Sequence, residues 1–348
     1  MAPGAWGLLA TSVPGTTLAY SSGEGTRGRQ VVIAKNRSIA AQAPVGTVAQ
    51  TKPARRSRYH RGELIGGLLL LTPALLILIG LVVYPFFYAI YLSFFEKSVG
   101  AVGRFVGLDN FRYVITWPQF QAALYNTAVF TIAAVAIKFT IGMAVAVVLN
   151  QQIRARNFFR AFLLLPWVIP AFVVYLTWRW LYDPLQGLLN YALLDLGLVT
   201  QPIAFLSTRE TAMFSVIIAH AWRGFPFYAI SFLAGMQTIP PELYEAAQVD
   251  GATRWQQFRY ITLPGLYHII GVVLLLSTIW TANAFEPVYL LTGGGPSDAT
   301  TVYTMLVYLV GMINMRLGEA AAVSVLFLPL LIGLVLVVTG LLQRRGEA

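Results

Sequence analysis

Cysteine is absent from the 348 residues, which excludes disulfides, thiolate metal sites and a cysteine nucleophile. Histidine is almost as scarce. His60, His220 and His268 stand far apart without metal-ligand spacing, so no metal site is expected. Charged residues make up only 11% of the chain, and acids are fewer than bases, 14 against 24. The acids are dispersed, so an acid pair for general acid–base chemistry is missing and no catalytic residues are expected. No G-x-x-x-x-G-K-[ST] run occurs, so the chain lacks the loop that cradles nucleotide phosphates in an ATPase. The apolar patch from Trp6 to Ala10 is short and has no basic segment ahead of it, so no signal peptide is expected there.

Apolar sequence dominates instead. Hydrophobic residues make up 57% of the chain, and several uncharged runs exceed the roughly 20 residues that a membrane-crossing helix needs. In lipid the backbone must satisfy itself, so these runs read as an all-α polytopic membrane protein. The formal charge of +10 sits in tails and short loops beside apolar runs. That is the distribution of the positive-inside rule, and no nucleic-acid partner is expected.

Residues 1–60 are rich in Ser, Gly, Ala, Thr and Pro, with Lys and Arg but little acid, and are expected to form a disordered basic cytosolic tail. The next Met is Met143, and one expectation for residues 1–50 is an upstream extension of the reading frame. A native peptide covering Trp6 to Arg27 would refute it. Residues 61–348 form the membrane domain, with six spans expected at about 64–91, 123–149, 159–180, 211–236, 264–291 and 320–342. Pro73 and Pro85 are expected to kink or end the first span. Pro166 and Pro170 fall inside the third, which exits through an interfacial belt of Trp178, Arg179 and Trp180. Residues 300–315, interrupted by Asn314, Arg316 and Glu319, read as an interfacial helix. The expected inner segments hold twelve basic residues, Lys52, Arg55, Arg56, Arg58, Arg61, Arg154, Arg156, Arg160, Arg254, Arg259, Arg344 and Arg345, and the outer loops hold five, Lys97, Arg104, Arg112, Arg209 and Arg316. This asymmetry places both termini and residues 240–264 in the cytosol.

Residues 240–264 are a polar interruption between apolar runs. Pro240 and Pro241 suit a helix's first turn, where a missing N–H costs nothing, and Glu242 and Glu245 lie near the positive end of its dipole. Gly251 suits the left-handed residue that ends the helix. Thr253 and Gln256 have the spacing of a capping box for a second helix, which Pro264 closes. Leu243, Ala246 and Ala247 fall on one helical face, and Trp255, Phe258 and Ile261 on the next. Two short helices with apolar faces need a partner surface, either the chain's own bundle or another protein.

Lys138, Arg223 and Glu286 fall within the expected spans, where a charge costs at least a few kcal/mol unless paired or hydrated. Trp222 and Arg223 in the fourth span, with Asn283, Glu286 and Tyr289 in the fifth, mix polar groups with aromatic faces, as a sugar site requires. A structural ion pair, or side chains snorkelling to an interface, accounts for the same residues.

Four stretches carry a resemblance. Glu245-Ala246-Ala247 with Asp250-Gly251-Ala252 and Leu263-Pro264 resembles the EAA loop of ABC importer permeases. Phe105-Val106-Gly107-Leu108-Asp109-Asn110-Phe111 resembles an external stretch of the carbohydrate-type permeases. Trp222-Arg223-Gly224-Phe225-Pro226-Phe227 resembles a motif in their fourth span. Phe285-Glu286-Pro287-Val288-Tyr289-Leu290-Leu291-Thr292-Gly293-Gly294-Gly295-Pro296 resembles a fifth-span stretch, with Glu286 where the family usually has Asp. On these residues the chain is similar to the MalF-like and UgpA-like permease subunits of carbohydrate-type ABC importers.

The resemblance implies a type I, MetI-like bundle of six spans in a bacterial or archaeal cytoplasmic membrane. It implies a second permease, two ATPase subunits and an extracytoplasmic solute-binding protein as partners. ATP and Mg would bind on the ATPase, with no cofactor on this chain. It also implies that Glu245 pairs with a basic residue of the ATPase, that Ala246 and Ala247 allow close helix approach, and that Gly251 sets the turn. Glycerol 3-phosphate or a glycerophosphodiester is the alternative cargo. An ion-coupled secondary transporter is a more distant alternative, which internal repeats and more membrane acids would favour.

Overall fold

The computed structural model describes residues 61–151 and 154–346. The expected tail, with Lys52, Arg55, Arg56 and Arg58, lies outside them. The contacts divide the chain into Met1–Leu64 and Ile65–Ala348, and the helical bundle belongs to the second unit.

The chain opens with α1 (Arg61–Leu78), a π turn (Ile79–Val83) and α2 (Tyr84–Ser93). Pro73 is carried inside α1, whereas Pro85 stands at the start of α2. A proline has no N–H for the preceding turn, and the wider π turn absorbs that register change. A two-residue hairpin follows, β1 (Phe95–Glu96) antiparallel to β2 (Arg104–Phe105). Buried Asn110 fastens it, its Nδ2 donating to Ser93 O and Phe95 O, each at 2.9 Å. Asn110 belongs to the resembling stretch Phe105–Phe111, so part of that motif's role is to hold this turn. After α3 (Asp109–Thr116), α4 (Pro118–Asn150) runs for 33 residues.

The third apolar stretch is not the single span expected at 159–180. It is two helices, α5 (Arg156–Val168) and α6 (Ala171–Leu181), set at 89° to each other. Ile169 precedes Pro170 and is extended at φ −61°, ψ 134°, because the proline ring crowds the α conformation of the residue before it. Pro166, by contrast, stays inside α5. The loop beyond holds α7 (Leu188–Asp195), pinned by Asn190, which bonds to Asp183 O and to both backbone groups of Ile203. Next comes α8 (Arg209–Met236), capped by Thr208 and continuous through Pro226.

A pair of short helices follows, α9 (Pro241–Val249) and α10 (Arg254–Gln257), then a π turn (Phe258–Thr262) and α11 (Leu263–Gly265). α12 (Tyr267–Ala282) departs at 67° from the Arg254–Gly265 stretch. The fifth span expected at 264–291 therefore ends early, at Ala282, and residues 286–291 form a separate helix, α13 (Glu286–Leu291). Pro287 explains the break, since it cannot donate to the carbonyl of Asn283 four residues back.

The segment read as interfacial is helical, α14 (Tyr303–Tyr308) with a π turn (Leu309–Ile313), but it lies in the interior. Leu306 and Val310 are buried with residues of α3, α4 and the last helix, α15 (Leu317–Gly346), Tyr303 is buried with Phe327 of α15, and Val302 and Met305 with the cluster around Phe130. Arg316 and Glu319, the charges that made it look superficial, pair with each other.

The core is built around α4 and α8, which pack along much of their length. Small residues, Ala134 and Ala146 on one and Ala219 and Ala229 on the other, let the two helices approach closely. One cluster joins them to α6 and α13 through Phe130, Tyr175, Val216 and Val288. Another joins them to α12 through Met143, Tyr228, Phe232 and Val273. Among the described residues, four helices are long and apolar enough to cross a membrane, or six if each bent pair counts as one. The Gly66–Ser93 stretch buries none of its most apolar window, as suits a helix solvated by lipid.

Candidate functional site

The first candidate site is the helix pair α9–α10, and its form follows from local chemistry. Pro240 and Pro241 occupy the N-cap and first helical position of α9. At the other end Ala252 N–H bonds to Ala247 O at 2.8 Å and Gly251 N–H to Gln248 O at 3.0 Å. Gly251 is left-handed at φ +77°, so the helix ends in a Schellman motif at the glycine expected to end it. Thr253 Oγ1 then accepts from Gln256 N at 3.3 Å, and Gln256 Oε1 accepts from Thr253 N at 2.7 Å, a complete capping box.

Other bonds brace the pair as a unit. The hydroxyls of Tyr244 and Thr262 lie 3.0 Å apart, and Gln257 Nε2 donates to Ala252 O at 3.2 Å. At the root of the loop Gln237, the C-cap of α8, accepts from Arg160 Nη2 at 2.7 Å and Arg156 Nη2 at 3.0 Å. Two cations on α5 thus sit at the negative end of the α8 dipole.

The outer surface of this unit is bare. Neither α9 nor α10 buries a single residue. Trp255 is 70% exposed and Val249 88%, with Leu243 and Tyr260 also open. Glu245, Ala246, Asp250, Gly251 and Pro264 are exposed, and Ala247, Ala252 and Leu263 half-buried. The expected apolar stripe splits: Phe258, with Leu263, packs toward the core under α4 and α8, while Trp255 turns outward. A cleft of about 430 Å³ lined by Arg259, Leu263, Pro264, Tyr267 and His268 runs along the loop's second half.

The second candidate site lies inside the bundle and is only partly the one read from sequence. Trp222 stands edge-on to Trp178 at 5.7 Å. Tyr289 stacks on Phe285 at 4.9 Å and meets Tyr308 at 5.2 Å. Asn283 is engaged elsewhere, accepting from the hydroxyl of Tyr303. Arg223 and Glu286 form no ion pair with each other. The pairing allowed for in the sequence reading is therefore not observed among the described residues.

Sequence reasoning missed a polar cluster around Lys138. This lysine, on α4, is 4% exposed. Its Nζ donates to Thr281 Oγ1 on α12 at 2.6 Å and lies 3.4 Å from His220 Nε2 on α8. His220 Nδ1 in turn lies 2.9 Å from the Tyr175 hydroxyl on α6. Gly224 makes room for it, since a Cβ there would meet three carbons of the Lys138 stem. Lys138 itself was the only signal in the sequence; its partners are ordinary Thr, His and Tyr residues far along the chain.

Comparison with known proteins decides what this arrangement belongs to. Residues 138–346 match the family described as the inner membrane component of binding-protein-dependent transport systems. The chain belongs to that family. This permease is 33% identical over 283 residues to the trehalose/maltose transport system permease protein MalF of Thermococcus litoralis, covering 80% of this chain and 94% of the relative. It is 35% identical over 290 residues to the inner membrane ABC transporter permease protein YcjO of Escherichia coli, covering 82% and 97%. Among solved structures, a chain of a bacterial ABC transporter that imports the acidic polysaccharide alginate superposes with a TM-score of 0.70 at 26% identity, covering 82% of this permease and 97% of that chain. A bacterial alginate ABC transporter in complex with an alginate pentasaccharide-bound periplasmic protein gives 0.71 at 25% identity, covering 82% and 96%. The fold is therefore that of a type I ABC importer permease, and the permease is a transport subunit of the inner membrane.

Proposed function

We propose that this permease forms half of the passage through which an ATP-driven importer moves a saccharide, and that residues 240–264 are the element on which an ATPase acts. The observation that carries the coupling reading is the helix pair α9–α10, rigidly braced within itself and burying none of its own residues. A lever needs that combination: stiffness to transmit force and an open face for its driver. Glu245 pairs with a basic group of the ATPase, Ala246 and Ala247 permit close approach, and Asp250-Gly251-Ala252 fixes the angle between the helices. Leu263 and Pro264 lead into α12, so motion of the loop reaches the bundle.

The saccharide reading is supported by the trehalose/maltose permease among the relatives and by the pentasaccharide in the alginate transporter's structure. These names favour a sugar over a glycerol phosphate. Trp222, Arg223, Asn283, Glu286 and Tyr289 remain our candidates for the pathway. The remaining partners are a second permease, two ATPase subunits that hold ATP and Mg, an extracytoplasmic solute-binding protein and membrane lipid. The charge asymmetry supports cytosolic termini.

The missing cysteine makes a clean test. A single Glu245→Cys substitution is the only thiol in this chain, and in the complete complex it is expected to cross-link to the ATPase with a short bifunctional reagent. Cross-linking to this chain's own bundle instead would reduce the loop to a connector.

A further inference from the structure

The coupling role of residues 240–264 makes no use of the cleft along the loop's second half. Arg259, Leu263, Pro264, Tyr267 and His268 line this space of about 430 Å³, and Arg259 and His268 are both exposed. Arg259 forms no ion pair among the described residues. Its guanidinium carbon lies 6.0 Å from the ring centre of Tyr260. After Asp250 the next acid in the chain is Glu286, so the Arg254–Gly265 arm and α12 carry Arg254, Arg259 and His268 without a carboxylate. Arg259 is a permanent cation with a fork of donors, and a cleft that sets it beside an imidazole, with no acid in the lining, is matched by an anion.

The place of the cleft in the fold selects the kind of anion. It lies at the 67° corner where the arm meets α12, the point at which a polar loop becomes an apolar helix. His268, Val272 and Leu276 recur at four-residue spacing on α12, which puts them on one face, and all three are exposed. From the cleft this face rises about 12 Å along the helix, with a basic foot and aliphatic side chains above it. Trp255 and Tyr260 are open on the same arm, and such side chains settle at the headgroup layer of a membrane. A free anion, or an acid of the ATPase, would use the basic foot alone. A phospholipid with an anionic headgroup uses the foot and the stripe together.

We propose that this cleft seats the headgroup of an anionic phospholipid from the cytosolic leaflet, with Arg259 on the phosphate, His268 beside it and an acyl chain along Val272 and Leu276. The proposal rests on the cytosolic placement of residues 240–264. That leaflet carries the anionic lipids that attract basic residues next to a membrane span. A lipid held there ties the corner through which the loop moves α12 to the membrane surface.

The test uses the complete importer in nanodiscs, with phosphatidylglycerol or phosphatidylcholine bearing a photoreactive acyl chain as the probe. Peptide mapping is expected to find the phosphatidylglycerol probe on α12 at Val272 or Leu276, and the phosphatidylcholine probe there only weakly. Arg259→Gln is expected to lower the phosphatidylglycerol label about fivefold, the factor for one basic residue at an anionic surface, while Arg259→Lys keeps most of it. Labelling of α1 is expected to be unchanged in both variants, which separates loss of the site from loss of the fold. Equal labelling of α12 by the two lipids, or a label that Arg259→Gln leaves intact, makes the stripe an unselective lipid-facing surface and overturns the proposal. Loss of the label on adding inorganic phosphate at constant ionic strength assigns the cleft to a free anion and overturns it as well. So does an unlabelled α12 with a cross-link from His268→Cys to the ATPase. An unlabelled α12 in complexes whose Glu245→Cys thiol still reaches the ATPase overturns the lipid site and leaves the coupling reading standing. Failure of both takes the cytosolic placement of the loop with it.

Discussion

The hydroxyls of Tyr244 and Thr262 meet at 3.0 Å across the elbow between α9 and α11, with Thr262 buried. This bond ties the first helix of the loop to the base of the second, and it can be dissected. Tyr244→Phe leaves a buried hydroxyl without its partner and is expected to destabilise the fold by about 1–3 kcal/mol. Adding Thr262→Val removes the orphan, so the double variant should recover part of the loss. Thermal unfolding of the four proteins in one detergent gives the cycle, and additive losses would show that the pair does not interact.

Gly251 stands at φ +77° with open space where a side chain would go, so the conformation alone penalises substitution. Gly251→Val is expected to strain the turn by about 1–2 kcal/mol, with Gly251→Asn closer to the parent. In reconstituted complexes the valine variant should keep ATP hydrolysis while losing uptake. Normal uptake in that variant would count against a coupling role.

Thr253 caps α10 with its hydroxyl. Thr253→Ala is expected to cost about 1 kcal/mol and to speed amide exchange over the first turn of α10, with α12 unaffected. Unchanged exchange would mean that Gln256 alone secures the turn.

Asn110 holds the β1–β2 hairpin through two backbone carbonyls. Asn110→Leu leaves both without a donor and is expected to destabilise the fold by about 1–3 kcal/mol. Faster proteolytic cleavage between β1 and β2 should report it, and unchanged cleavage would show that β-pairing alone suffices.

What could be read in the sequence depended on how local the cause was. The capping box at Thr253, the left-handed Gly251 and the prolines at the start of α9 act within a few residues, and all appear as expected. Pro170 is equally local, yet the apolar run from 159 to 180 made an 89° corner look like one span. Pro287 was hidden the same way, by the apolar run that resumes after it through Val288, Tyr289, Leu290 and Leu291. Residues 300–315 lie largely buried within the fold, and Arg316 and Glu319 beside them pair with each other, which no hydropathy sum records. The Lys138 cluster was out of reach for a different reason. Tyr175, His220 and Thr281 become its neighbours only when four helices pack, and nothing in their own surroundings marks them.

The π turn at Phe258–Thr262 sets the loop's tolerance of length. Leu263 N–H reaches back five residues to Phe258 O, so this turn holds one residue more than an α-helical turn. Deleting one residue here lets an i→i−4 bond replace the i→i−5 bond with the flanking turns nearly in register, whereas a deletion in a regular helical turn swings what precedes it by about 100° about the helix axis, with a slide of about 1.5 Å. Substitutions change what the loop's surface offers, a deletion in a regular turn changes where that surface points, and the π turn is where the loop can lose a residue without being re-aimed.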